Sequence, residues 1–184
     1  MLAYVFWHWR RPDAPVDAYE SRQRAFQRAL TAAPPPGFQR STTWAISGAP
    51  WANGGGEAWE DWYQMGSSAD LDRLEEAAIS ASRQAPHDAV AALAAGGTGG
   101  LYKLRDGDAA VPARHCWWFA KPDGMRYPEL LALMAPLCAG GRAALWCRQM
   151  TLGPALEFCL HAPDAVKLPD VLETRHIALR QVFP

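Results

Sequence analysis

His8 stands in the middle of an aromatic run, Tyr4-Val5-Phe6-Trp7-His8-Trp9-Arg10. An imidazole exchanges its proton near neutral pH, and a neighbouring carboxylate that fixes its tautomer makes it an effective base or an oriented ligand. The segment from Ala58 to Met65 supplies such carboxylates. In an extended chain Asp61 and Tyr63 share one face, and Glu60 and Trp62 share the other. The candidate catalytic pair is therefore His8 as base and Asp61 as its orienting group, with Tyr63 beside them. Arg10, two residues beyond His8, would neutralise an anionic group on a substrate. The plainer alternative is a buried histidine satisfied by a backbone group or by that same carboxylate.

Pro86-His87-Asp88 forms a second group. In the first turn of a helix the dipole favours a neutral imidazole and an ionised Asp, so His87 and Asp88 could accept a proton or bind an anionic group there. Otherwise they are a capping turn with an exposed histidine. The nine tryptophans are a third feature. Core packing accounts for most of them, but each indole N–H wants a partner, and such density also fits a cavity for a flat or greasy ligand, with Trp44 and Tyr63 among the rings expected to bind it. Trp51 lies in the glycine-rich loop between Gly48 and Gly56. It is either a lid over an entrance or a ring folded onto the surface.

Other patterns are set aside. Gly96-Gly97-Thr98-Gly99-Gly100 lacks the strand-before, helix-after context and the Lys-Ser/Thr ending of a phosphate loop, and reads as a hinge. His115, His161 and His176 have no metal-like spacing, and neither H-E-x-x-H nor a G-x-S-x-G elbow occurs. Cys116, Cys138, Cys147 and Cys159 form no C-x-x-C pair, and three of them sit in apolar runs. They read as reduced, buried thiols rather than a disulfide framework or a zinc site, so no metal is expected. A net charge of -1 argues against a protein that coats nucleic acid. The N-terminal run reads as a strand rather than a signal peptide, no segment is apolar enough to span a bilayer, and the expected location is cytoplasmic.

These residues need elements to position them. The periodicity predicts a strand over Ala3–Trp9 and then a helix capped by Asp17 and Glu20, with Tyr19, Phe26, Ala29 and Leu30 on its apolar face. Strands follow at Gln39–Ser47 and Ala58–Met65. A helix from Ser67 or Ser68, a short helix from Pro86 and a strand over Leu101–Arg105 complete the first half. The second half reads as a strand at Arg114–Ala120, a helix at Pro128–Cys138 bent or ended by Pro136, strands at Ala143–Met150 and Leu156–His161, a short helix over Asp164–Leu172, and a strand at Ile177–Phe183.

The two halves share a short motif. Phe6-Trp7-His8-Trp9-Arg10-Arg11-Pro12-Asp13 is echoed by Cys116-Trp117-Trp118-Phe119-Ala120-Lys121-Pro122-Asp123. The expected fold class is α+β, with two ferredoxin-like β-α-β-β-α-β repeats at residues 1–105 and 114–184, joined by a linker at 106–113. Their antiparallel sheets would pack into an α+β barrel, because both faces of the first strand carry large apolar rings. In this arrangement the chain resembles the dimeric α+β barrel superfamily fused into one polypeptide. That superfamily includes cofactor-free monooxygenases and haem-binding relatives of chlorite dismutase.

The resemblance implies a small hydrophobic or aromatic ligand in an aromatic cavity, in an oxidative or degradative enzyme. The alternative is a non-catalytic binding or interaction protein with a Trp-rich structural core. A haem protein is third, and no other cofactor is expected. No nucleic-acid or membrane partner is expected, and the chain would be a monomer or a homodimer.

Overall fold

A computed structural model describes residues 1–184. Its strands are β1 (Leu2–Arg10), β2 (Phe38–Ile46), β3 (Ala58–Met65), β4 (Ala94–Gly107), β5 (His115–Phe119), β6 (Ala144–Arg148), β7 (Phe158–Ala162), β8 (Thr174–Ala178) and β9 (Arg180–Phe183). The helices are α1 (Val16–Ala32), α2 (Asp70–Ala78), α3 (Gln84–Ala91) and α4 (Tyr127–Cys138). The strands form a single antiparallel sheet in the order β8-β5-β7-β6-β4-β1-β3-β2-β9. Within it, β4-β1-β3-β2 and β8-β5-β7-β6 each have the strand order of a ferredoxin-like unit.

Two strands serve both units. β4 pairs with β1 from Ala94 to Lys103 and with β6 from Tyr102 to Gly107. The last strand bends at Leu179, so that β8 pairs with β5 and β9 with β2. The two ends of the sheet are thus halves of one bent strand, and the sheet curls into a nearly closed α+β barrel.

Burial follows strand alternation. Ala3, Val5 and Trp7 of β1 face the barrel interior, where they pack with Trp44, Trp62, Tyr102, Trp118 and Trp146. Tyr4, Phe6 and His8 face the helices instead, over a layer that includes Tyr19, Phe26, Leu30 and Leu74. A separate layer under α4 gathers Leu130, Met134, Leu145, Phe158 and Leu160.

The glycine run is strand rather than hinge, and the rings of β1 explain why. A Cβ at Gly97 would lie 2.4 Å from the Phe6 ring, and one at Gly99 would lie 2.5 Å from the Tyr4 hydroxyl. Only glycine leaves room for those rings to lie down against the neighbouring strand.

Three further expectations change. α1 starts at Val16 behind Pro15 with no side-chain cap. Glu20 accepts hydrogen bonds from Trp59 and Arg180 instead of reaching back to the helix start. α3 begins at Gln84, two residues before Pro86. The expected helix over Asp164–Leu172 is irregular chain. Pro163 and Pro169 remove backbone donors there, and Val166, Leu168 and Leu172 reach the α4 layer without helical periodicity.

Candidate functional site

A cavity of about 490 Å³ lies between the helix-facing side of β1, β3 and β4 and the helices α1, α2 and α3. Its walls are mostly apolar, with Phe6, Phe26, Leu71, Leu74 and Val90 prominent, and its polar end is formed by His8, Tyr19, Gln23, Asp61 and Tyr63. The barrel interior is filled by tryptophans. The tryptophans expected to line a cavity do not line this one, which lies on the helix side of the sheet and has no tryptophan in its walls.

β1 and β3 are adjacent, with Phe6 opposite Asp61 and His8 opposite Trp59. That register brings His8 Nε2 to 3.3 Å from Asp61 Oδ2. Both residues are almost completely buried, at 2% and 1% exposure. A buried carboxylate is costly unless donors surround it. Asp61 accepts from Thr43 Oγ1 at 2.6 Å, from the Tyr63 hydroxyl at 2.8 Å and from the Gln23 amide. Gln27 donates to the Tyr63 oxygen at 3.1 Å and accepts from Ser41 at 2.6 Å, which extends the network to α1 and β2.

On the far side of the imidazole, His8 Nδ1 meets the Tyr19 hydroxyl at 2.6 Å. Burial, reinforced by the charge of Asp61, raises the Tyr19 pKa well above its usual value. The phenol is therefore protonated at neutral pH and donates to His8 Nδ1. With Tyr19 donating to Nδ1, the neutral ring carries its proton on Nε2, which lies 3.3 Å from Asp61 as a charge contact without a hydrogen bond and 3.5 Å from the Gln23 amide nitrogen. Tyr63 is raised even further by burial and by Asp61, and is a fixed donor.

Tyr19, His8 and Asp61 thus stand in series, with a hydrogen bond between the phenol and Nδ1 and a 3.3 Å charge contact between Nε2 and the carboxylate. When a cavity-bound group gives its proton to the Tyr19 oxygen, the phenol proton can pass to Nδ1. Asp61 then stabilises the imidazolium, the logic by which an acid orients a histidine base in hydrolytic triads.

The structure thus brings together His8, Asp61 and Tyr63 and adds Tyr19, Gln23 and Thr43. Gln23 and Gln27, polar residues on the buried face of α1 beside Tyr19, Phe26 and Leu30, were the available signal for the α1 contribution. His87 lines the cavity with its ring edge on Phe26 at 5.5 Å. Asp88 is exposed and lies 3.2 Å from His87 Nδ1.

Arg10, Trp44 and Trp51 do not line the cavity. A β-bulge between Trp9 and Arg10 turns Arg10 to Glu57 at 2.9 Å and to the carbonyl of Ala14 at 2.8 Å. Trp44 faces the barrel interior, beside Trp62. Trp51 packs edge-on to Trp7 and Trp118, at 6.2 and 5.2 Å, half-buried against the barrel-interior cluster. The cavity consequently has no Arg or Lys in its lining. On the opposite face of β3, Glu60 accepts from the Trp7 indole at 3.0 Å, and burial pushes its carboxyl up to about 7.

The chain is similar in structure to a candidate monooxygenase from Fusobacterium nucleatum subsp. nucleatum, with a TM-score of 0.64 and 9% identity over 98% of this chain and 92% of that one. The shared property is the fold. An anthrone oxidase-like protein matches with a TM-score of 0.49 and 14% identity, over 89% of this chain and 73% of that one. A candidate chlorite dismutase matches with a TM-score of 0.49 and 10% identity, over 98% and 95%. No family model and no curated protein matches the sequence.

Proposed function

We propose that the chain binds a small, uncharged, largely aromatic molecule in the helix-side cavity and removes a proton from it, as the opening step of an oxidative or degradative reaction. The observation that carries this reading is the Tyr19–His8–Asp61 chain standing at the polar end of an apolar cavity of about 490 Å³. In these roles Tyr19 meets the substrate hydroxyl or activated C–H, His8 stores the proton, and Asp61 holds the charge. Phe6, Phe26 and Leu74 exclude water and fit a flat ring. A phenolate or carbanion formed there is electron-rich, and dioxygen is the natural oxidant for it. The fold shared with a candidate monooxygenase agrees with this reading.

His8 is not disposed to bind a haem iron in this cavity. Both ring nitrogens of His8 are engaged, by Tyr19 and by Asp61, which leaves that histidine no lone pair for iron.

The same cavity would serve a binding protein without turnover, and the full burial of Trp7, Trp59, Trp62, Trp118 and Trp146 favours a structural use for most of the indoles under either reading. We further read residues 1–105 and 114–184 as two repeats of one compact unit, joined by 106–113.

The test uses 1-naphthol and 2-naphthol as probes, followed by calorimetry and by oxygen consumption. Binding with oxygen uptake that disappears in His8→Ala supports the enzyme. Binding without uptake supports the binding protein, and no binding by either probe or by a wider panel of phenols removes the proposal.

A further inference from the structure

We propose that the barrel interior holds a zinc ion on Cys116, Cys159 and His161, a site independent of the helix-side cavity. Cys116 of β5 stands directly across the ladder from His161 of β7, and Cys159 precedes His161 by two residues. Strand alternation therefore puts all three side chains on the face that looks into the barrel. One donor atom from each lies within 4.8 Å of the other two. Exposure is 0%, 0% and 3% for Cys116, Cys159 and His161. Tetrahedral zinc, with Zn–S of about 2.3 Å and Zn–N of about 2.0 Å, sets such donors roughly 3.5–3.8 Å apart, a distance that small side-chain rotations reach.

A second observation points to the same place. His161 Nε2 is buried with no protein hydrogen-bond partner. The imidazole is clamped between Trp62 and Trp44, with ring centroids at 4.4 and 5.2 Å, so it cannot swing out to water. Buried polar atoms in native proteins are almost always satisfied, and of the unpartnered ring nitrogens in this interior only that of His161 can ligate a metal, the indole N–H groups of Trp44, Trp62, Trp118 and Trp146 being donors only.

The chemistry is self-consistent. Two thiols and one imidazole are a soft donor set that suits zinc and disfavours hard cations. Loading releases one proton from each thiol, and the two thiolates cancel the charge of Zn²⁺. The neutral assembly is compatible with an apolar interior in which a bare cation would be prohibitive. Because the barrel is closed around the site, the ion is acquired as the chain folds. The spacing of the cysteines conceals all this, since the ligand set is created by the β5–β7 register and not by a local motif.

The test is metal analysis of untagged protein made in zinc-supplemented medium, with a parallel preparation from cobalt-supplemented minimal medium. We expect about one zinc per chain, and in the cobalt protein strong visible d–d bands with a thiolate-to-cobalt charge-transfer band in the near ultraviolet. Cys159→Ser and His161→Gln should lose or shift these bands. Cys138→Ser and Cys147→Ser, which alter thiols in the α4 layer, should keep them. If the ligand variants fail to fold, the wild-type spectra and the two control variants still decide. Metal content well below one equivalent with a featureless cobalt spectrum, a Cys116–Cys159 disulfide found by mass, or thiolate bands lost on Cys138→Ser or Cys147→Ser would overturn the proposal.

Discussion

Glu60 and Asp61 are consecutive residues of β3, both fully buried, and they face opposite sides of the same sheet. Asp61 looks toward the helices and is surrounded by donors; Glu60 looks into the barrel with the Trp7 indole on one oxygen. One strand therefore supplies an acid to each of two separate interiors, and substitutions at the two positions should have unrelated consequences.

Asp61→Ala should be severe, because it strands the donors of Thr43, Tyr63 and Gln23 in a dry site and removes the charge beside His8. The expected loss is about 3–5 kcal/mol of unfolding free energy. Asp61→Asn keeps the shape and one acceptor, so it should cost less stability while impairing proton removal. Urea denaturation of both variants beside the naphthol assay separates the two effects.

Tyr19→Phe leaves the ring packed against Trp59 at 4.8 Å and removes only the hydroxyl. Stability should fall by about 1 kcal/mol, the usual worth of one buried hydrogen bond. Binding should persist, and turnover should drop by about 10²–10⁴-fold, the range for loss of a positioned acid–base group. Retention of full turnover in Tyr19→Phe would remove this phenol from the relay.

Trp51→Ala tests whether that ring packs the barrel or gates an entrance. It should lower stability by roughly 2–4 kcal/mol through lost packing on Trp7 and Trp118, and leave the affinity of the helix-side cavity unchanged. A change in ligand on-rate by stopped flow, with stability intact, would restore the gating role.

Gly97→Val should displace the Phe6 ring, which already occupies the space a Cβ would need. Overpacking of this kind costs about 1–3 kcal/mol. It should also reshape the cavity wall, so that naphthol affinity falls together with the melting temperature. Gly124→Ala, at a turn glycine with nothing near its Cβ but a positive φ, should cost stability without touching affinity.

Acid should loosen the closure between α1 and the final strand. Burial alone would raise the pKa of Glu20, but the bonds from Arg180 and Trp59, with Arg24, hold it below the ordinary carboxylate value. A group lowered in the folded state contributes stability above its unfolded pKa and loses it as pH falls through the folded one. Unfolding free energy should therefore drop below about pH 4.5, the ordinary carboxylate range, and Glu20→Gln should flatten that slope. Equal slopes in both proteins would mean that this carboxylate is not a site of acid sensitivity.

Much of the fold was legible because rings on both faces of β1 demand two covering layers, and Pro-Gly punctuation separates the strands. The His8–Asp61 pair was legible from topology, since the first and third strands of a ferredoxin-like unit are neighbours. Tyr19 and Gln23 were hidden because helical periodicity marks a residue as inward-facing without saying whether packing or a polar network awaits it. The strand at Gly96–Gly100 was hidden because its logic lies in the partner: the glycines make sense only once Tyr4 and Phe6 lie across them. Arg10 was misplaced by one bulge, which no composition rule reveals.

The bent strand from Thr174 to Phe183 also bears on synthesis. Its two halves, β8 and β9, are the last two of the nine strands to leave the ribosome, yet β2 and β5, made much earlier, both depend on them for an edge partner. Until it emerges, the nascent chain presents two unzipped borders rich in tryptophan. Translation pauses in this stretch would prolong the interval in which chaperones, or other nascent copies, compete for them.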